Sequence, residues 1–226
     1  MTGTLDVSVI MPVRNEGRFL ARAIESVIVA GALVGTFEII VVDGMSDDDT
    51  RDVVAELQRR DPRITLVDNP NRTVPHAMNL GIRAARSDVI VRVDGHAEVY
   101  PDFLVTSLAV LTDHPECACV GGAIENLDLD ESSAAISLAM ASPFGVGNAR
   151  FRTGGEEGYV DTLAFGAYRR ADLFAIGLFD EELVRNQDDE LNYRLVTSGR
   201  KIWFTPRIRS RYYVRSSSRK LFRQYF

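Results

Sequence analysis

Cysteine, tryptophan and histidine are scarce in this 226-residue chain, which has two, one and three of them. Cys117 and Cys119 sit one residue apart in an apolar run. That spacing predicts reduced thiols on one face of a buried strand and argues against a disulfide framework or a zinc site. No stretch approaches the roughly 18 uninterrupted apolar residues of a spanning helix; the richest windows are 26–35 and 134–141. The first residues lack the basic, apolar and small-residue order of a secretory signal, so the expected location is cytoplasmic. Neither Gly-x-Gly-x-x-Gly nor the Walker lysine pattern occurs, which excludes the common dinucleotide and P-loop enzymes.

What is present is the balance of a globular domain, 46% hydrophobic and 26% charged, and at this length one domain is expected. The formal net charge of −6 conceals an asymmetry. Residues 191–226 carry ten Lys or Arg and no Asp or Glu, leaving 16 basic against 32 acidic residues before them. A cationic end on an acidic body points to phosphate-bearing ligands or anionic lipid. Nucleic-acid binding would need a basic face over the body itself, so it is not expected.

Strand-length apolar runs alternate with helical patterns through the first half, the pattern of a parallel sheet with crossover helices. The expected strands are 7–11, 38–43, 63–67, 89–94 and 118–124. The expected helices include Phe19, Leu20, Ala23, Ile24 and Val27 on one face, then 50–60, 74–86 and 101–111, with Pro75 in a first turn. Beyond Asn126 the rhythm changes: 131–141 reads as an amphipathic helix, 144–158 as a glycine-rich lid, 159–168 as strand-like. Residues 188–198 read as a helix capped by Gly199, and 202–205 and 208–214 as two short strands. The fold class is thus α/β, a doubly wound, mostly parallel sheet with a smaller second lobe.

In such sheets ligands lie beyond the carboxyl ends of the strands. Those ends are polar: Pro12-Val13-Arg14-Asn15-Glu16, Asp43-Gly44-Met45-Ser46-Asp47 and Asp94-Gly95-His96. An aspartate ending a buried strand costs desolvation unless paired, which points to a ligand or cation at Asp43 and Asp94. His96 adds an imidazole two residues from a carboxylate, a sparse divalent-cation site. Asn15 and Asp47 to Asp49 are equally placed to serve the ends of helices. His76 and His114 lie in helical segments and Trp203 on a short strand, where packing roles are expected.

Taken in order, Val-Ile-Met-Pro-Val-Arg-Asn-Glu, Ile-Val-Val-Asp-Gly-Met-Ser-Asp-Asp-Asp-Thr and Val-Arg-Val-Asp-Gly-His resemble the inverting glycosyltransferases of family 2 with their GT-A nucleotide-sugar domain. Gly166-Ala167-Tyr168-Arg169-Arg170, Gly177-Leu178-Phe179-Asp180 and Asn186-Gln187-Asp188-Asp189-Glu190-Leu191-Asn192-Tyr193-Arg194 extend the resemblance over nearly the whole chain. The Asp-Gly-His and Asn-Gln-Asp-Asp-Glu variants resemble the bacterial succinoglycan-type exopolysaccharide branch.

The resemblance implies a single GT-A domain over 1–226, with a nucleotide-sugar half at 1–125 and an acceptor half with a basic end at 126–226. It implies donor contacts at Pro12, Val13, Glu16, Asp43 and Asp94, and Mn²⁺ or Mg²⁺ held by Asp94 and His96. His96 falls where the family usually has a second aspartate, and a neutral imidazole favours Mn²⁺. Asp188 matches the general base, with Gln187 in place of the family's glutamate. A base at a helix amino terminus would be kept ionised by the helix dipole. Gly166, Arg170 and Arg194 are implied at the acceptor and phosphates, with Arg169 beside them.

The implied donor is a UDP-sugar, or else a GDP-sugar. The implied acceptor is a glycan or polyprenyl-diphosphate-linked sugar. The processive enzymes' Gln-x-x-Arg-Trp does not occur, so addition of one sugar is expected. The basic, aromatic run 220–226 is expected to meet the inner leaflet of the membrane, in line with membrane segments that follow in the resembled branch. Two rivals stand beside this reading. A sugar nucleotidyltransferase would need a glycine-rich basic loop after the first strand, and 12–16 has none. A nucleotide-sugar-binding module without catalysis is permitted by Gln187 and His96.

Overall fold

The first strand, β1 (Val7–Val13), is buried along its whole length, as expected of a strand covered on both faces. The computed structural model describes residues 6–128, 149–183 and 185–214. The order continues α1 (Gly17–Gly31), β2 (Phe37–Asp43), α2 (Thr50–Arg60), β3 (Ile64–Asp68), α3 (Val74–Ala84) and β4 (Val89–Arg92). Then come β5 (Ala97–Val99), α4 (Phe103–Asp113), β6 (Cys117–Leu127), α5 (Arg150–Thr153), β7 (Gly158–Val160) and β8 (Ala167–Arg169). The chain closes with α6 (Arg170–Ala175), α7 (Gln187–Thr197) and β9 (Lys201–Tyr213).

Among the described residues the strands form one sheet in the order β3-β2-β1-β4-β8-β6-β9-β5, with β7 also on β9. The strands β3, β2, β1 and β4 are all parallel. β8 then runs antiparallel between β4 and β6, while β6 and β9 are parallel to each other. Helices cover both faces. One apolar cluster joins Val9, Met11 and Val41 to Leu20, Ile24 and Val27 of α1 and to Phe103 and Leu104 of α4. The other joins Ile10, Ile40 and Val42 to Met78 and Ile82 of α3 and to Leu191 and Leu195 of α7. Full burial of one such side chain is worth about 1.5–3 kcal/mol, so these two layers hold the strand ends in place.

The second half departs from the sequence expectations in particular ways. The segment expected as one strand over 159–168 is β7 and β8 with a loop between them. The two short strands expected at 202–205 and 208–214 are the single long β9, whose pairing with β6 shifts register between Gly121 and Ala123. A Cβ on Gly122 would lie 1.9 Å from the Ile208 carbonyl oxygen, so the irregularity is built around a residue with no side chain. A second register shift, between Cys117 and Cys119, overturns the expectation that the two thiols share a face. Cys117 packs with the α4 layer and Cys119 with the α7 layer, both as free thiols. The helix expected at 131–141 and the run 220–226 lie outside the described residues. Of the expected lid, 149–158 is described and contains α5.

Candidate active site

The carboxyl ends of β1, β2 and β4 lie side by side, which brings Pro12, Val13, Glu16, Asp43 and Asp94 to one rim. Three contacts tie the rim together. The Gly44 N–H donates to the Val13 carbonyl at 2.8 Å. The Asn15 amide donates to Asp47 at 2.7 Å, and the Glu16 N–H to the Thr50 hydroxyl at 2.8 Å. Gly95 packs so closely on β1's end that a Cβ there would meet Val13 at 2.8 Å and Glu16 at 3.1 Å. The Asp94-Gly95-His96 turn is therefore pressed against the first strand because Gly95 lacks a side chain.

Asp43 is fully buried, and its charge is met from within the chain. Its carboxylate accepts from the Ser46 N–H at 3.2 Å, from the Ser46 hydroxyl, and from Arg51 Nη1 at 2.7 Å. The same Arg51 nitrogen reaches Asp68 at 2.8 Å. The desolvation that pointed to a ligand at Asp43 is thus offset by an arginine on α2.

Asp94 and Asp188 meet through a residue the sequence reading passed over. Arg92, the last residue of β4, is 5% exposed. It donates from Nε to Asp94 Oδ1 at 2.9 Å, from Nη2 to Asp94 Oδ2 at 3.3 Å, and from Nη1 to Asp188 Oδ1. A charged residue closing the apolar Val-Ile-Val-Arg-Val run was the visible signal, because a buried arginine needs carboxylates around it. The two carboxylates hold the guanidinium firmly protonated despite its burial. Asp188, in the first turn of α7, titrates above the ordinary carboxylate range. Burial is the leading cause; Asp94 and Asp189 push the same way, and Arg92 opposes. This reverses the expectation that the helix dipole would lower it, since desolvation is the leading influence.

His96 is 8% exposed and packs edge-on to Tyr212 at 4.6 Å. Its Nδ1 lies 3.0 Å from Glu16 Oε1. Neither ring nitrogen has an aligned hydrogen bond. A buried imidazole whose Nδ1 faces a carboxylate and whose Nε2 is left over fits a divalent cation, and each Asp94 oxygen keeps acceptor capacity beyond the bond Arg92 makes. Among the described residues, the grouping of three ligating side chains with ligand atoms within 4.8 Å is a different one: His114, Glu116 and Cys117. It sits at the amino end of β6, away from the rim. There Glu116 accepts from the Tyr159 hydroxyl at 2.8 Å and His114 stacks on Trp203 at 3.9 Å. Burial, then Glu116, pushes the Cys117 thiol up to about 11, so it stays protonated and ligates poorly.

The downstream arginines are not brought to the rim. The pairing of Val89 with Arg169 sets Arg169 and Arg170 at the amino end of β4. Arg169 donates to the Cys117 carbonyl at 2.9 Å and Arg170 to the Ile82 carbonyl at 3.1 Å. Arg194 donates to the Ile176 carbonyl at 2.5 Å and the Leu178 carbonyl at 2.7 Å, and also pairs with Glu190. Carbonyls at a strand start, a helix end and the turn after α6 claim these guanidiniums. Gly166 does reach the site: its carbonyl accepts the Arg92 N–H at 3.2 Å, and a Cβ would meet Cys119 Sγ at 2.5 Å.

The doubly wound sheet has the GT-A fold, and solved GT-A structures superpose on it. A Staphylococcus aureus TarS fragment in complex with UDP-GlcNAc matches at TM-score 0.73 and 17% identity, over 95% of this chain and 60% of that one. GalNAc-T7 with UDP, GalNAc and Mn²⁺ matches at TM-score 0.71 and 18% identity, over 95% and 45%. The model of glycosyl transferase family 2 matches residues 8–174, and the chain belongs to that family. The succinoglycan biosynthesis protein ExoA of Rhizobium meliloti is 30% identical over 96% of this chain and 66% of its own length. A dolichyl N-acetyl-glucosaminyl phosphate diacetamido-dideoxy-glucuronosyltransferase of Methanococcus voltae is 29% identical over 96% and 70%. The chain thus spans about two thirds of these relatives. No helix among the described residues is long and apolar enough to cross a membrane.

Proposed function

We propose that the chain transfers one sugar, with inversion, from a nucleoside-diphosphate sugar to a hydroxyl of a glycan or polyprenyl-diphosphate-linked acceptor in cell-surface polysaccharide synthesis. The observation that carries this reading is the ion chain Asp94, Arg92, Asp188, in which a rim carboxylate and a helix-borne carboxylate share one buried guanidinium. The names of the two relatives support the acceptor class, and the UDP of the solved neighbours supports a UDP-sugar.

In this reading Pro12, Val13, Glu16 and Asp43 receive the base and ribose, with the Ser46 hydroxyl giving way at Asp43. Asp94 and His96 would hold Mn²⁺ or Mg²⁺, which supplies positive charge to the departing diphosphate. Glu16, beside His96 Nδ1, orients the imidazole, as carboxylates do for metal-ligating histidines. Asp188 takes the proton of the acceptor hydroxyl as the oxygen attacks the anomeric carbon from the face opposite the diphosphate. Arg92 engages Oδ1, and Oδ2 is the oxygen assigned to that proton. The raised basicity of Asp188 suits a group whose task is to take a proton. The basic, aromatic run 220–226 is assigned to the anionic inner leaflet, a contact that liposome sedimentation at low and high salt tests directly.

Calorimetric titration with a panel of nucleoside diphosphates, with and without Mn²⁺, tests the donor side. Tight binding of one nucleotide that needs the metal is expected. No binding across the panel would remove the donor assignment.

A further inference from the structure

We infer that Arg92 is a positioning residue for sugar transfer, one that aims Asp188 at the acceptor and locks it in register with the donor-side Asp94. The inference rests on the reading of Asp188 as the base. Arg92 has no freedom of its own. Its backbone is fixed by pairing with Ile10 and by the N–H bond to Gly166, and its side chain is buried. Three side-chain nitrogens are spent on two carboxylates, two on Asp94 and one on Asp188. Asp94, Asp189, Tyr168 and Cys119 also face Asp188, and each is anionic or neutral. With Oδ1 of Asp188 pinned by Arg92, Oδ2 is the oxygen left for the acceptor proton.

The geometry needs the planar fork. A lysine ammonium is a single point and does not span both carboxylates with the same bonds. Charge alone therefore does not replace Arg92, which separates positioning from simple electrostatic neutralisation.

The test is a mutant cycle on the full chain, with thermal melting, nucleoside diphosphate affinity in Mn²⁺, and kcat measured for Arg92→Lys, Arg92→Met, Asp188→Asn and the two doubles. Arg92→Lys is expected to melt near the wild type yet lose about 10- to 100-fold in kcat, the cost of a misplaced catalytic group. Its loss in nucleotide affinity is expected to be smaller than its loss in kcat. In the Asp188→Asn background either Arg92 change should add less than about threefold, because the group being aimed is already gone. Arg92→Lys at wild-type kcat overturns the inference, and so does a full multiplicative loss in the doubles. If Arg92→Met does not fold, the Lys variant and its double carry the test alone. Wild-type transfer by Asp188→Asn is a distinct result, which removes the base assignment and this inference with it.

Discussion

Asp188 and Arg92, 96 residues apart in sequence, meet at the rim of the sheet, where the guanidinium donates to the carboxylate from Nη1. The contact joins an apolar strand of the parallel half to the first turn of a helix in the later half. It turns two separate polar strand and helix ends into one site.

Asp188→Asn is expected to reduce transfer by about 10²- to 10⁴-fold, the usual contribution of a general base. Nucleoside diphosphate affinity should stay within about threefold, because Asp94 and His96 are untouched. Transfer kinetics and calorimetry on the same preparation check this pair of outcomes.

The rate should fall on the acid side at a pH above the ordinary carboxylate value near 4, since burial raises Asp188 and the base works only when ionised. The linkage to stability has the opposite sense. A carboxyl raised in the folded state stabilises fully below its unfolded value, and that contribution is lost as pH rises through the folded value. A pH profile of kcat/KM and a melting series over the same range measure the two effects.

His96→Ala should weaken Mn²⁺-dependent nucleotide binding by about tenfold or more and leave metal-free binding unchanged. His96→Asp supplies a second carboxylate and should improve the response to Mg²⁺ relative to Mn²⁺, because Mg²⁺ prefers oxygen ligands. Titrations with each metal distinguish the outcomes.

Arg194→Ala should lower stability by about 1–3 kcal/mol, by leaving the carbonyls of Ile176 and Leu178 without their donor. Nucleotide affinity should be unaffected. A denaturant titration with a parallel binding assay checks both.

Gly122→Ala should cost about 1–3 kcal/mol, since the new Cβ would meet the backbone oxygens of Ile208 and Thr205. Denaturant unfolding measures it, and a neutral result would mean that β9 can shift away from β6.

The parallel half was legible because strands buried on both faces read as continuous apolar runs between amphipathic helices. Its ends carried Asp43, Asp94 and Glu16 in plain view. The later half was less legible for physical reasons. β5, β7 and β8 have three residues each, too short to show alternation. The register shift at Cys117 and Cys119 is a property of pairing with β9, not of local sequence. Arg170 and Arg194 looked like phosphate ligands because sequence shows a charge but not the open carbonyl waiting for it. Asp188 was singled out by its motif, whereas its raised titration comes from desolvation in the folded chain, which the local sequence does not show. Arg92 was the opposite case: its buried charge was visible in Val-Arg-Val-Asp, but its second partner comes from a distant helix.

The central claim is that the donor sits between Asp94 and His96 on one side and Asp188 on the other. A crystal soaked with Mn²⁺ and the tightest-binding nucleoside diphosphate tests it most directly. The account predicts the ion on Asp94 and His96, with the terminal phosphate facing Asp188. Nucleotide density elsewhere on the molecule, with those three side chains touching neither ion nor phosphate, would contradict it.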